Sequence, residues 1–338
     1  MIITSAPGKI ILFGEHAVVY DKLGIACSID KRCFVKISPT NKNIVFIKAE
    51  DLGLKKSFRK KELSDFFEAI NTLKEKGELD EIKEIYRKDR LSPCFFVIAS
   101  IFRRYDFKGL KIEIESEIPK NLGSSSAVFS ALALAISKFL GKKLSKKEIS
   151  DFAFEGDIIA HGGTPSGIDN NVVTYGGYIQ YKKSEGVRLL NINFKLPLVI
   201  VDSGEPAKTS KTVSFIRKLK EEKPKFVNPV LEKLEEISYL GIKALKSKNL
   251  KKFGSLMIKY YHELKKLKIS TKKLDRIIFL ALKNKALGAK PTGGWGGGSC
   301  LVLAKNQKGI VNLIKIFQNN GFKAFQSKIG VEGVKLSR

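Results

Sequence analysis

The chain has 338 residues, and its 62 Lys and Arg against 34 Asp and Glu leave a formal charge of +28. This length is more than twice the ~150 residues typical of one domain, and 43% hydrophobic residues can form a core, which excludes a disordered chain and a disulfide-stapled miniprotein. The positive surplus indicates an anionic partner, such as nucleic acid, an acidic membrane surface or a phosphorylated small molecule, or else a lysine-rich solvated surface.

The cysteines and the N-terminus predict a cytoplasmic protein. The cysteines form no metal-binding or redox pair, so we expect reduced, mostly buried thiols at Cys27, Cys33, Cys94 and Cys300. The first residues lack the charged and apolar regions of a leader peptide, and no apolar run reaches the ~18 residues of a membrane span.

Periodicity in the first half of the chain predicts both strands and helices. Apolar or alternating runs predict strands at 9–13, 24–29, 33–37 and 110–115. Helices are predicted in a charged stretch over 60–90, in an apolar stretch over 127–140 and over 145–160. The last of these helices begins with a capping-box pattern, Ser145 followed three residues later by Glu148.

The second half continues with the same mixture. Strands are predicted at 177–181, 196–201 and 300–304, and helices over 228–287 and 310–319. We place a domain boundary in the polar turn region 182–187. An α+β chain of two packed domains is therefore expected.

A Gly-Ser turn at residues 122–126 precedes the apolar helix. The start of a helix leaves backbone N–H groups unpaired and carries a partial positive charge, so this turn is a candidate anion site. The glycine lets a phosphate approach the backbone, and the serine hydroxyls can cap the helix or bind Mg²⁺. The alternative is an ordinary serine cap on a core helix.

A second glycine cluster, KPTGGWGGGSC, occupies residues 290–300. Ordering so many glycines costs backbone entropy, and a purely structural loop would rarely need them. The cluster therefore favours a backbone pressed against a bound nucleotide over a flexible surface loop. Neither glycine cluster fits the P-loop pattern, and no protein-kinase motif set is present, so phosphate binding here would need other machinery.

Two further segments carry candidate catalytic side chains. Asp169 lies in a Pro/Gly-rich turn that suits a general base, although an Asx turn is the alternative. A carboxylate of the preceding helix, Glu155 or Asp157, could hold Mg²⁺. On an apolar strand near the N-terminus, Lys9 is followed by Glu15 and His16; taken alone, that lysine is more often a surface residue.

Four segments occur in a recognisable order: PGKIILFGEHAVVY at 7–20, LGSS at 122–125, PSGIDN at 165–170 and GAKPTGGWGGGSC at 288–300. Together they resemble the motifs of the GHMP small-molecule kinases, and FGEHAVVY resembles the mevalonate kinases within that superfamily. Residues 256–270 also resemble the helix that precedes the third motif in that family. The resemblance spans nearly the whole chain.

This resemblance implies a fold and a reaction. The N-terminal domain, 1–185, is expected to be like domain 2 of ribosomal protein S5, and the C-terminal domain, 186–338, to be ferredoxin-like. ATP, Mg²⁺ and mevalonate are the expected ligands, and the γ-phosphoryl group is transferred to the 5-hydroxyl in isoprenoid synthesis. A homodimer is one assembly that the sequence leaves open, whereas no nucleic-acid or membrane partner is expected.

The resemblance also implies roles for individual residues. Asp169 matches the catalytic base and Lys9 the lysine that polarises the substrate hydroxyl. Ser125 and Asp157 match magnesium ligands, with Glu155 as the alternative to Asp157. Mevalonate contacts are expected from Lys9, Glu15, His16 and Asp169. Nucleotide contacts are expected from both glycine loops: Lys120, Asn121, Leu122, Gly123, Ser124, Ser125, Ser126, Gly293, Gly294, Gly296 and Gly297.

Two other functions stay open at this point. One is phosphomevalonate kinase, or another GHMP kinase, because Lys-Pro-Thr-Gly in the third motif also resembles those enzymes. The other is a basic nucleic-acid-binding protein without catalysis, which would align lysines and aromatic side chains on one face. Against it, the lysines are mostly interspersed with acids on predicted helices, as on solvated helix faces.

Overall fold

A computed structural model describes residues 1–162 and 165–337 of the chain. In this part of the chain twelve strands form two sheets: β1 (Ile2–Phe13), β2 (Gly24–Pro39), β3 (Ile44–Ala49), β4 (Leu54–Arg59), β5 (Leu110–Ser116), β6 (Tyr178–Lys182), β7 (Gly186–Leu190), β8 (Leu198–Asp202), β9 (Gly288–Thr292), β10 (Ser299–Leu303), β11 (Lys323–Gln326) and β12 (Lys335–Leu336).

Eleven α-helices cover the sheets in the described residues: α1 (Lys60–Lys76), α2 (Leu79–Lys88), α3 (Ser92–Arg104), α4 (Ser124–Phe139), α5 (Lys146–Ala160), α6 (Ile168–Tyr175), α7 (Thr209–Glu222), α8 (Pro224–Lys246), α9 (Leu250–Lys266), α10 (Lys272–Lys283) and α11 (Gln307–Asn319). None of these described helices is long and apolar enough to cross a bilayer.

The larger sheet has eight strands in the order β12-β1-β2-β5-β3-β4, with β6 and β7 added beside β2. The β3–β5 pair is parallel and the other pairs are antiparallel. The apolar helix α4 packs on β1 and β2 and is buried on nearly every side, as its sequence predicted. Ser145 and Glu148 form the predicted capping box at the start of α5.

The smaller sheet is antiparallel in the order β11-β8-β10-β9. Helices between β8 and β9 and between β10 and β11 make it the split βαβ arrangement of ferredoxin-like folds, which confirms that part of the predicted fold. One continuous hydrophobic core joins the two sheets, and a small satellite cluster lies beneath α1 and α2.

Strand pairing bears on the domain boundary at 185/186, which stays a prediction. The strands on either side of that boundary, β6 and β7, form a hairpin within the larger sheet. The C-terminal strand β12 returns to pair with β1. The chain therefore enters the smaller sheet only after Leu190 and rejoins the larger one near its C-terminus.

Candidate active site

Lys9 lies at the centre of the candidate site, on β1. The register of β1 against β2 shifts on both sides of it, between Pro7 and Gly8 and between Ile11 and Phe13. Such irregularities re-aim strand side chains and are common beside active sites. The Lys9 side chain is almost wholly buried, and its Nζ lies 2.8 Å from Oδ1 of Asp169.

Asp169 begins a helix rather than lying in a turn. It is the second residue of α6, with Gly167 as a left-handed N-cap, so its carboxylate also lies at the positive end of the helix dipole. The Asp169 side chain keeps 22% of its surface exposed. The Lys9–Asp169 pair is therefore an ion pair that a ligand can reach.

The first glycine loop rests directly on Lys9. The backbone N–H of Lys9 donates to the carbonyl of Leu122 (2.8 Å). Gly123 caps α4 with φ 83°, and a Cβ at this position would lie 2.6 Å from Cγ of Lys9. Only glycine permits this approach, which brings the N-terminal end of α4 next to the Lys9–Asp169 pair.

Asp157 forms the buried wall of the site. The side chain, on α5, is 2% exposed, and both its oxygens accept from the hydroxyl of Ser126, at 2.8 and 2.9 Å. Burial, and then the negative charge of Asp169, raise the pKa of Asp157 well above its usual range. A cation held by Asp157 would offset both effects.

The other two predicted metal ligands, Ser125 and Glu155, do not contact Asp157 in the way that Ser126 does. Ser125 is half-buried in the first turn of α4, next to the serine that contacts Asp157, and its role as a ligand stays a prediction. Glu155 pairs with Lys74 of α1 at 3.0 Å. This geometry favours Asp157 over Glu155 as the carboxylate of the site.

The donor set fits Mg²⁺ as part of a shared site. Among the described residues, no three His, Cys, Asp or Glu side chains converge as a metal site supplied by the protein alone. A buried carboxylate with serine hydroxyls supplies the oxygen donors that Mg²⁺ prefers, and this ion usually takes its remaining ligands from phosphates and water.

Glu15 and His16 occupy the turn after β1 and are both buried. Glu15 forms an ion pair with Lys290 of β9, in which neither side chain has any exposed surface. Burial raises the pKa of Glu15 and lowers that of Lys290, against their mutual attraction. His16 has φ 61°, and burial lowers its pKa to about 4, so its imidazole is neutral at pH 7.

The second glycine cluster is packed against protein on one side. A Cβ on Gly294 would lie 1.9 Å from Oγ1 of Thr209, and the hydroxyl of Thr212 donates to the Gly294 carbonyl (2.6 Å). The ring of Trp295 is buried and stacks on Tyr261 at 6.1 Å between centroids. Gly294 is therefore required for packing, because the loop lies directly against the start of α7.

The two glycine loops nevertheless face each other. A Cβ on Gly293 would lie 3.7 Å from the carbonyl oxygen of Asn121, and one on Gly298 would lie 3.7 Å from the Asn121 side chain. Asn121 itself has a positive φ of 69°. The predicted nucleotide contacts of these loops stay a prediction, and their proximity is what such contacts require.

Two residues that support the site were not predicted from the sequence. Lys290 stood out only as part of a glycine-rich motif, because the sequence GAKPT of β9 has no strand-like apolar pattern. Tyr260 lies in a helix whose apolar period it merely continues, so no sequence signal distinguished it.

Comparison with known proteins decides the family. Residues 93–177 match the model of the GHMP kinases N terminal domain, and residues 242–324 match that of the GHMP kinases C terminal domain. The mevalonate kinase of Pyrococcus furiosus is 34% identical, over 99% of this chain and 98% of that protein.

The chain belongs to the GHMP kinases. Solved structures of this family share the fold. The Methanococcus jannaschii mevalonate kinase superposes with a TM-score of 0.77 at 28% identity, covering 97% of this chain and 98% of that one. The L. major mevalonate kinase in complex with R-mevalonate has a TM-score of 0.76 at 23% identity, covering 97% and 95%, a likeness of fold.

The family models cover most of the site of this GHMP kinase. The N-terminal match contains the first glycine loop, Asp157 and Asp169, and the C-terminal match contains the second glycine cluster. The segment with Lys9, Glu15 and His16 lies before both matches, but within the full-length similarity to the Pyrococcus protein. As a GHMP kinase, the chain is a phosphotransferase.

Proposed function

We propose that this GHMP kinase transfers the γ-phosphoryl group of ATP to the 5-hydroxyl of mevalonate, giving 5-phosphomevalonate. The observation that carries the proposal is the accessible Lys9–Asp169 pair at 2.8 Å, beside the N-terminal end of α4. The full-length similarity to proteins named mevalonate kinase supports the choice of alcohol.

Asp169 acts as the general base in this proposal. Its carboxylate accepts the proton of the 5-hydroxyl as the oxygen attacks the γ-phosphorus. Lys9 holds the carboxylate in place, and its ammonium group stabilises the negative charge on the attacking oxygen. The backbone N–H groups at the start of α4 bind phosphate oxygens, since they have no partner within the helix.

Asp157 and the hydroxyl of Ser125 would hold the Mg²⁺ that accompanies ATP. When bound, this ion neutralises negative charge on the β- and γ-phosphoryl oxygens. The chain's own contribution is a fixed carboxylate, since Ser126 orients both oxygens of Asp157.

Glu15 and His16 are proposed to contact mevalonate. His16 is neutral at pH 7, so it would hydrogen-bond the substrate's hydroxyl or carboxylate without adding charge. The positive partner for the mevalonate carboxylate would then come from a lysine. Lys290 is already paired with Glu15, and Lys9 is another lysine whose charge acts on this turn.

The charge of +28 does not require a nucleic-acid function. Many lysines pair with acids on the same exposed helix face, including Lys147–Asp151, Lys218–Glu222 and Lys233–Glu236. Such pairs are typical of solvated surfaces. Cytoplasmic localisation and a homodimer stay predictions.

The experiment is an ADP-release assay with Mg-ATP and a panel of acceptors: mevalonate, 5-phosphomevalonate, galactose and homoserine. The proposal predicts turnover with mevalonate and little with the others. Turnover of 5-phosphomevalonate alone would replace it with the phosphomevalonate kinase alternative. Turnover of galactose or homoserine alone would leave a GHMP kinase of another specificity.

A further inference from the structure

The turn formed by Gly14, Glu15 and His16 is held in place by residues from the other end of the chain. The N–H of Gly14 donates to the hydroxyl of Tyr260 on α9 (2.9 Å), and that hydroxyl donates to the Glu15 carbonyl (3.1 Å). One tyrosine oxygen therefore joins two consecutive residues of the turn across a separation of about 245 residues in sequence.

Lys290 binds the Glu15 side chain itself. Its ammonium group donates to the Glu15 carboxylate and to the carbonyl of Pro291 (2.8 Å), and its Nζ lies 5.4 Å from the centroid of the Tyr260 ring. Lys290 is fully buried, so every direction around its charge is occupied by protein. The geometry leaves the Glu15 carboxylate little freedom to move.

Stability alone is a weak reason for such a pair. Removing two charges from water usually costs about as much as their attraction returns, and apolar residues of similar volume are often equal or better. A buried pair that joins two distant segments instead fixes their relative position.

The turn also carries unused hydrogen-bonding capacity. Within residues 1–162 and 165–337, nothing bonds to Oε2 of Glu15 or to Nε2 of His16, although both atoms are buried. Buried polar atoms without a partner are rare, because each loses its hydrogen bond to water. Two such atoms in the adjacent residues Glu15 and His16 indicate that a polar ligand binds at this turn.

We propose that Lys290 is a positioning residue, which acts through Glu15 to hold the turn 14–16 in the orientation that binds the acceptor substrate. This inference rests on the proposed function, in which Glu15 and His16 contact mevalonate. The ligand class is a small hydroxy acid, whose hydroxyl groups would bond to the fixed carboxylate and the neutral imidazole while its own carboxylate pairs with a lysine.

The first test compares Lys290→Met, Glu15→Gln and the double variant in steady-state kinetics. Losing the hydrogen bonds that Glu15 and His16 offer the substrate costs on the order of tenfold in affinity for each. KM for mevalonate therefore rises by on the order of 10²-fold in Lys290→Met, while KM for ATP stays near the wild-type value. Because Lys290 acts through Glu15, the double variant is no worse than the more impaired single variant. Lys233→Met, which removes an exposed ion pair, is the control and changes neither constant.

Two outcomes overturn the proposal. Equal rises in both KM values would mean that Lys290 supports only the general fold. Multiplied effects in the double variant would mean that the two residues act independently. Lys290→Met can be replaced if it does not fold, since it leaves Glu15 unpaired. In that case KM for mevalonate is compared between the uncharged double variant and Glu15→Gln, and the two values should agree.

A second measurement separates this inference from the proposed function. Hydrogen exchange of the peptide covering residues 13–18 reports on the turn without any substrate. Lys290→Met speeds exchange there by about tenfold, the factor expected for one lost hydrogen bond, and leaves α11 unchanged. Unaltered exchange overturns the positioning role, whereas a wild-type protein inactive on mevalonate overturns only the proposed function.

Discussion

Two lysine–carboxylate pairs begin within seven residues of each other on the same segment, yet they differ in surroundings. Lys9 and Asp169 lie 2.8 Å apart, and Asp169 keeps 22% of its side-chain surface exposed. Glu15 and Lys290 have no exposed surface at all. The first pair joins β1 to α6 within the larger sheet's layer, and the second joins the end of β1 to the smaller sheet.

The difference shows that burial decides whether a lysine–carboxylate pair can react or only hold the structure in place. A pair that a substrate reaches can take up a proton and release it after the reaction. Lys290, which is enclosed on every side, has no such exchange partner, so its contribution is geometric. The following variants test this division, beginning with the largest expected effect.

Asp169→Asn removes the proposed base and keeps the side-chain volume. We expect kcat for mevalonate phosphorylation to fall by about 10²-fold or more, the usual size of a general-base contribution, with KM for ATP nearly unchanged. Asp151→Asn on the exposed face of α5 is the matched control. Near-normal kcat in Asp169→Asn contradicts the base assignment.

Asp157→Asn tests the metal site. We expect the Mg²⁺ concentration for half-maximal activity to rise by on the order of 10- to 100-fold, as for other changes at metal sites. Glu155→Gln, two residues away but paired with Lys74, should leave the Mg²⁺ titration unchanged. The reverse pattern would transfer the role to Glu155.

His16→Asn tests the burial of the turn through the pH dependence of stability. The pKa of His16 is about 4 in the folded protein against 6.5 ordinarily, so the unfolded chain binds the extra proton as pH falls below 6.5. Folding stability is therefore lost between pH 6.5 and 4, and this residue contributes roughly 2 kcal/mol of the loss between pH 7 and 5.

Urea unfolding at the two pH values measures that loss. In His16→Asn, whose new side chain tolerates a positive φ, the loss should shrink by roughly 2 kcal/mol. An unchanged pH dependence in His16→Asn would show that His16 is not a buried, neutral imidazole.

Gly123→Ala tests the contact between the glycine loop and Lys9. Its Cβ would press on the Lys9 side chain, and we expect kcat/KM to fall by about tenfold from this displacement. Gly141→Ala is the control, because Gly141 has a similar φ of 69° but open space around it. An equal fall of kcat/KM in both variants would mean that backbone strain, and not contact with Lys9, causes the loss.

Local patterns predicted the elements that depend on local signals. The capping box of α5, the apolar helix α4 and the strand β5 follow directly from their residues. Helix α3, which begins SPCFF, was overlooked because its apolar faces lie against several elements at once and leave no clear period. Strand β12, with two residues, has no pattern to detect.

The site was predictable to the extent that its motifs lie on single segments. The first glycine loop and Asp169 were identified as candidates from residue chemistry, and the resemblance supplied their roles. The Ser126–Asp157 contact and the Glu15–Lys290 pair were not, because partners separated by 31 and 275 residues meet only in the folded chain. The packing of Trp295 against Tyr261 likewise required the fold.

The most direct test is a single-turnover measurement of phosphoryl transfer at saturating mevalonate, with wild type, Asp169→Asn and Lys290→Met side by side. We expect the transfer step to slow by about 10²-fold in Asp169→Asn. In Lys290→Met it stays close to the wild-type rate, because saturating mevalonate overcomes the binding defect. Equal slowing in both variants, or none in Asp169→Asn, would contradict the division between a reactive pair and a positioning pair.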